Sequence, residues 1–417
     1  LFLKRVALAA GAILFAALVL EIATRLLAGG ETAARAGRLF NPTGDDPAEP
    51  QAQALDDQRI MLHPYFGYVV DPRAPGINPY GFFRASPVTT RSPDRFVVAF
   101  FGGSVADQVF ALGQQALIES LQADPAFAGR RIEVLSLALG GYKQPQQLLV
   151  LAELLAIGAQ FDAIVNLDGF NEVDGAADNV QDGVNPFYPH HWHLQARRAL
   201  DRETLADVGR VEVAREQRGA LRQRFAVPAV RHSAFLLALW DALDRRELAG
   251  LRRQMAALDR ALAPQEKPPQ VAGPPFDFAD PAAMYIELVE VWARASLEME
   301  ALARRMGIQY LHFLQPNQYF EGSKVLSAEE RRIAWDADVA DAGRVAQAYP
   351  LLVERGRQLA EQGVDFHDLT LMFRADPGDI YSDPCCHYTR RGAELVARAI
   401  GEAIIARNRS PTPRWRR

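Results

Sequence analysis

Five short apolar runs organise this chain. Phe96-Val97-Val98-Ala99-Phe100-Phe101 contains no polar residue and stops at Gly102-Gly103-Ser104. Comparable runs lie at Val134–Leu139, Ala163–Leu167 and Tyr310–Leu314, with a weaker one at Val364–Leu369. Runs without alternation mark strands buried on both faces, the situation of a parallel sheet. Helical patterns lie between them, at Val105–Leu121 and Gln146–Ile157. A last helix begins after Thr389, a suitable N-cap residue. It lines up Val396, Ala399, Ile400, Ala403 and Ile404 on one face. Strand–helix alternation of this kind predicts an α/β fold with a doubly wound parallel sheet.

The rhythm is interrupted between the third and fourth runs. Residues 174–305 carry helical patterns at Gln195–Arg224, Phe235–Ala263 and Ala282–Arg305, with Pro-rich breaks over Pro264–Pro275. They read as a long helical insertion, a cap or hairpin. Ahead of the sheet, residues 61–94 are rich in Pro, Gly and aromatics and predict an irregular or short-stranded lead-in segment. The Ala-, Gly-, Asp- and Pro-rich stretch at 29–60 reads as a linker. The main domain is expected over 95–410, with a frayed basic tail from Asn408.

The N-terminus has a pattern of its own. Lys4 and Arg5 precede an uncharged run from Val6 to Leu20, and Glu21 and Arg25 follow at helical spacing. A spanning helix needs about 20 mostly apolar residues. With Glu21 and Arg25 placed at an interface, residues 1–28 are expected to be a transmembrane anchor. The positive flank then puts the rest of the chain on the exported side, periplasmic or extracellular. A cleavable signal peptide is the competing reading.

Composition narrows the classes. The 417 residues are 49% hydrophobic and 23% charged, with a net charge of −5 spread along the chain. That disfavours a nucleic-acid binder, which would carry a basic face. The two cysteines, Cys385 and Cys386, are adjacent and build no disulfide framework.

The candidate chemistry clusters at the ends of the predicted strands. Ser104 follows two glycines after the first strand and opens a helix, where unpaired N–H groups favour negative charge. Read alone, it is better taken as an N-cap serine. Gly140-Gly141 ends the second strand and Asp168-Gly169-Phe170-Asn171-Glu172 the third. A backbone N–H at Gly141 and the Asn171 amide would suit an oxyanion, where losing one donor typically costs about 3–4 kcal/mol. Asp383-Pro384-Cys385-Cys386-His387 stands just before the last helix. A serine hydroxyl needs an adjacent imidazole to take its proton, and the imidazole an orienting carboxylate.

Taken in order, these four blocks resemble the SGNH (GDSL-like) hydrolase and acyltransferase family, in its membrane-anchored bacterial form. The resemblance covers roughly residues 95–171 and 379–407, and the lead-in His63-Pro64-Tyr65-Phe66-Gly67-Tyr68 is similar too. It implies a flavodoxin-like sheet and a serine esterase acting on O-acyl esters, with Ser104 as nucleophile. His387 becomes the base, Asp383 its acid, and Ser104, Gly141 and Asn171 the oxyanion hole. No metal and no organic cofactor are implied. The sequence departs from the family pattern in Gly-Gly-Ser, in Glu172 after Asn171, and in an Asp383–His387 spacing one residue longer. Asp379 is the other acid within reach.

The expected substrate is an acylated small molecule or glycan, by placement an O-acetyl ester of the cell envelope or an exopolysaccharide. Two alternatives stand beside the esterase: a polysaccharide O-acetyltransferase with the same residues, and a non-catalytic envelope scaffold or glycan-binding protein. Tyr188, Trp192 and Gln315 are candidates for a substrate-binding wall. His190, His191 and His193 around Trp192 read as a polar aromatic loop rather than as a metal site, which would want three or four convergent ligands.

Overall fold

A computed structural model describes residues 15–16, 18–27, 35–36, 39, 60–83, 86–192, 202–262, 269–336 and 339–409. It falls into two compact units, one formed by residues 58–196 and 267–417, the other by residues 1–57 and 197–266.

The larger unit opens with a two-stranded antiparallel ribbon, β1 (Ile60–His63) and β2 (Gly67–Val70). Its centre is a five-stranded parallel sheet: β3 (Arg95–Gly102), β4 (Arg131–Ser136), β5 (Ala163–Asp168), β6 (Gln309–Leu314) and β7 (Asp365–Asp368). The strands lie in the order β4-β3-β5-β6-β7. This is the strand order of flavodoxin-like doubly wound sheets. Residues 96–102 and all of β5 are buried, as strands covered on both faces must be.

Helices α1 (Ser104–Gln122) and α9 (Arg390–Arg409) pack together on one face of the sheet. The other helices are α2 (Gln146–Ala156), α3 (Phe170–Gln181), α6 (Pro281–Arg305), α7 (Ala328–Ala334) and α8 (Ala340–Glu361). Of these, α2, α3, α6 and α8 form a second packed group, joined to β6 and β7 through α6 and α8.

Two expectations shift. The second strand is Arg131–Ser136, earlier than Val134–Leu139. Leu137, Ala138 and Leu139 are buried, but they form the loop toward Gly140 rather than the ladder. Hydrophobicity reports burial, and here burial outruns strand pairing. Likewise Pro281–Arg305, placed by its sequence in the insertion, is the crossover helix that brings the chain to β6. Its Trp292, Met299 and Ala303 are buried in the main core.

The smaller unit is a helical hairpin, α4 (Arg202–Phe225) and α5 (Ala234–Leu262). Arg218 holds Asp244 across it through two bonds of 2.8 and 2.9 Å. The carboxylate of Glu21 accepts the N–H groups of Ala234 and Phe235 at 2.9 and 3.1 Å, together with the Ser233 hydroxyl at 2.7 Å. Burial raises the Glu21 pKa, but these donors and Arg25 outweigh it and hold it at about 2. Glu21 thus serves as a helix cap supplied from a distant part of the sequence.

The anchor expected over 1–28 finds no support: among the described residues no helix is long and apolar enough to cross a membrane. Residues 1–14, 17 and 28 of that segment lie outside the described residues, as do most of the linker and residues 410–417 of the tail.

Candidate active site

In a doubly wound sheet the crevice forms where neighbouring strands send their chains to opposite sides, at the carboxyl ends. Here that point lies between β3 and β5. Ser104 opens α1 directly after Gly103, the N-cap residue, so its N–H is among those a helix leaves unpaired. A Cβ at Gly103 would stand 2.0 Å from Asn171 Nδ2, so glycine is what admits the asparagine amide beside Ser104. Asn171 is the second residue of α3, and its Nδ2 donates to Tyr142 O at 3.0 Å. An amide NH2 carries two hydrogens, and this bond uses one.

Gly141 follows in the left-handed region, at φ 75°, which favours glycine. The lead-in segment supports this turn. Tyr68 Oη donates to Gly140 O at 2.7 Å, Tyr142 Oη donates back to Tyr68 O, and Gln146 Nε2 donates to Phe66 O at 2.6 Å.

Glu172, in sequence only a departure from the family pattern, joins the two turns. Its Oε2 accepts the Gly169 N–H at 2.8 Å. Its Oε1 accepts the Gln144 N–H at 3.1 Å and Gln147 Nε2 at 3.0 Å. Burial, then the neighbouring Asp168, push this carboxyl up to about 8 despite the donors.

The imidazole arrives from the loop before α9. His387 Nδ1 lies 2.6 Å from Asp383 Oδ2. Asp383 Oδ1 meanwhile accepts the N–H groups of Cys385, Cys386 and His387 at 3.0, 3.1 and 3.3 Å. The longer spacing is absorbed by this tight turn, in which one carboxylate organises the backbone and the ring together. Asp379 is engaged elsewhere, accepting the Ser327 hydroxyl at 2.7 Å.

The loop is braced from the segment after β6. Asn317 donates to Cys385 O, Gln318 to Asp383 O and Tyr319 Oη to Pro384 O, at 3.2, 3.0 and 2.6 Å. It is also tied to α1, where the Tyr388 N–H donates to Gln108 Oε1 at 2.7 Å. Gln108 and Ser104 are one helical turn apart on the same face. Burial lowers the His387 pKa, but the charge and hydrogen bond of Asp383, with Cys386, win and push it up to about 9.

The remaining candidates are placed less uniformly. Tyr188 and Trp192 meet edge to face, centroids 6.4 Å apart, on the loop after α3. Gln315 is buried directly after β6, its backbone N–H donating to Asp168 O at 3.0 Å. Cys385 and Cys386 bring their sulfurs within 2.7 Å, and burial, then Cys386, push the Cys385 thiol up. A thiol so held is a poor nucleophile.

Among the described residues, two clusters bring three metal-ligating side chains together: Cys385, Cys386 and His387, and Asp178, His190 and His191. In the second, Arg344 Nη1 already lies 2.8 Å from the Asp178 carboxylate. His193 lies outside the described residues.

A buried Ser–His–Asp array escaped the sequence reading. Ser296 Oγ lies 2.8 Å from His312 Nδ1, and His312 Nε2 lies 2.9 Å from Asp168 Oδ1, which also accepts Trp292 Nε1 at 2.7 Å. All four residues are buried, so the array fastens α6 to β5 and β6 beneath the site. Its members are too far apart in sequence for spacing to reveal them. No protein-family model and no curated protein sequence matches the chain.

Proposed function

We propose that the protein is a serine esterase of the SGNH type, working through an acyl-serine intermediate on O-acyl esters. The observation that carries this reading is the Asp383–His387 pair, 2.6 Å apart, on a loop fastened to the helix that Ser104 opens.

In this reading neutral His387 takes the proton of Ser104 Oγ through Nε2 while the oxygen attacks the ester carbonyl. Asp383 fixes the ring by accepting its Nδ1–H and stabilises the imidazolium that forms. The carbonyl oxygen becomes an oxyanion beside the Ser104 and Gly141 N–H groups and the Asn171 amide. The C–O bond to the alcohol then breaks, and His387 returns its proton to the leaving oxygen. Water releases the acid by the same steps in reverse; a sugar hydroxyl in its place would make the protein an acyltransferase.

A fluorophosphonate serine probe tests the reading. Wild-type protein should be labelled and Ser104→Ala should not. Folded wild-type protein that resists the probe would overturn the reading and favour a non-catalytic role on the same fold.

A further inference from the structure

Another imidazole held by a carboxylate lies on the oxyanion side of the site. His190 Nε2 is 3.1 Å from Asp178 Oδ2. Asp178 and Asn171 belong to the same helix, α3, with Gly175 between them. The His190 ring rests on that intervening glycine, where an added Cβ would meet Cγ, Cδ2 and Nδ1 at 3.3, 3.4 and 3.5 Å. It also reaches the other turn: a Cβ at Gly141 would meet His190 Nδ1 at 3.3 Å. One ring therefore fills the space between the Gly141 turn and the helix that carries Asn171. Glycine on both sides is what lets it in.

The loop that delivers His190 is tied to both of these elements. Lys143, two residues beyond Gly141, is fully buried and its Nζ donates to Pro186 O and, at 2.6 Å, to Tyr188 O. Asn179, the residue after Asp178, is fully buried and its Nδ2 donates to Tyr188 O at 2.9 Å and to Asn185 O and Pro189 O at 3.3 Å. Arg344 from α8 holds the far side of Asp178 at 2.8 Å and Asp174 at 2.7 Å. Such ties give a functional group the locked surroundings that placement within about 0.5 Å demands.

We infer that His190 is a positioning residue for the oxyanion hole: held by Asp178, it sets the separation between the Gly141 N–H and the Asn171 amide. The inference rests on the esterase reading and extends it to a residue outside the four sequence blocks. Displacing a donor by about 1 Å costs on the order of 100-fold in rate.

The test is the second-order rate constant of fluorophosphonate labelling, measured on titrated active sites. It compares wild type with His190→Ala, His190→Gln, Asn171→Ala and the His190→Ala/Asn171→Ala double variant. His190→Ala should slow labelling by about 10- to 100-fold. His190→Gln, which keeps a donor for Asp178 and much of the volume, should recover most of that loss. The double variant should lose clearly less than the product of the single losses, because both act on one hole. A purely structural role would change the active fraction without this coupling. An unchanged rate in His190→Ala, or strictly multiplicative losses, would overturn the inference while leaving the esterase reading intact. Absence of labelling in wild type would overturn both.

Discussion

The backbone N–H of Tyr388 donates to Gln108 Oε1 at 2.7 Å, joining two residues 280 positions apart. Through this bond the residue after His387 is fastened one turn below Ser104 on α1. Asn317, Gln318 and Tyr319 brace the same loop from the segment after β6. The imidazole is therefore placed by backbone contacts on either side of it.

Gln108→Leu should disturb that placement while leaving the fold in place. The lost bond is worth about 1 kcal/mol of stability, with a further penalty for the unpaired Tyr388 N–H. The labelling rate at Ser104 should fall about 10- to 100-fold through misplacement of the ring. Thermal melts and probe kinetics on one preparation check both effects. A wild-type rate would show that the loop is held without Gln108.

Asp383→Asn should be more damaging. It removes the acceptor for His387 Nδ1–H and weakens the turn made by three N–H bonds to Oδ1. Turnover of a simple aryl acetate should fall by about 100- to 10,000-fold, as when the orienting acid of a serine–histidine pair is lost. Asp379→Asn should leave it within a few-fold of wild type, since that carboxylate is bonded to Ser327.

The pH profile follows from His387. Its pKa is raised from 6.5 to about 9, so the ring must lose a proton before it can act as base. Labelling should increase with pH through about 9, and Asp383→Asn should move that limb toward the ordinary imidazole range. Stability runs the other way. A raised histidine pKa contributes stability that is complete below the unfolded value and is lost as pH rises through the folded one. A labelling rate flat between pH 7 and 10 would contradict the assignment of His387 as the base.

Glu172→Ala should destabilise the protein rather than alter its chemistry directly. Three donors, from Gly169, Gln144 and Gln147, lose their acceptor in a buried place. At about 1–3 kcal/mol for each orphaned group, a loss of roughly 3 kcal/mol or more is expected in denaturant unfolding. Because its carboxyl is raised to about 8, wild type holds an extra proton when folded, and stability should decline between pH 4.5 and 8. Glu172→Ala should flatten that part of the profile.

Cys385→Ser and Cys386→Ala should retain Ser104 labelling, since the buried pair packs the loop into the core. Loss of labelling in either variant with an unchanged melt would point instead to a thiol in the chemistry.

Much of this protein was legible along the chain. Phe96–Phe101, Ala163–Leu167 and Tyr310–Leu314 announced their strands because apolar runs without alternation suit a sheet covered on both faces. Ser104, Asn171 and the Asp383…His387 pair stood out because each follows a strand or precedes a helix, where local sequence sets geometry. Tertiary structure decided the rest. It showed Pro281–Arg305 to be a core helix, because only packing reveals which apolar stripe finds the sheet. It turned Glu172 from an irregularity into the joint between two turns, and set His190 between Gly141 and Gly175. These roles depend on contacts between residues far apart in sequence, and no periodicity or local spacing encodes them.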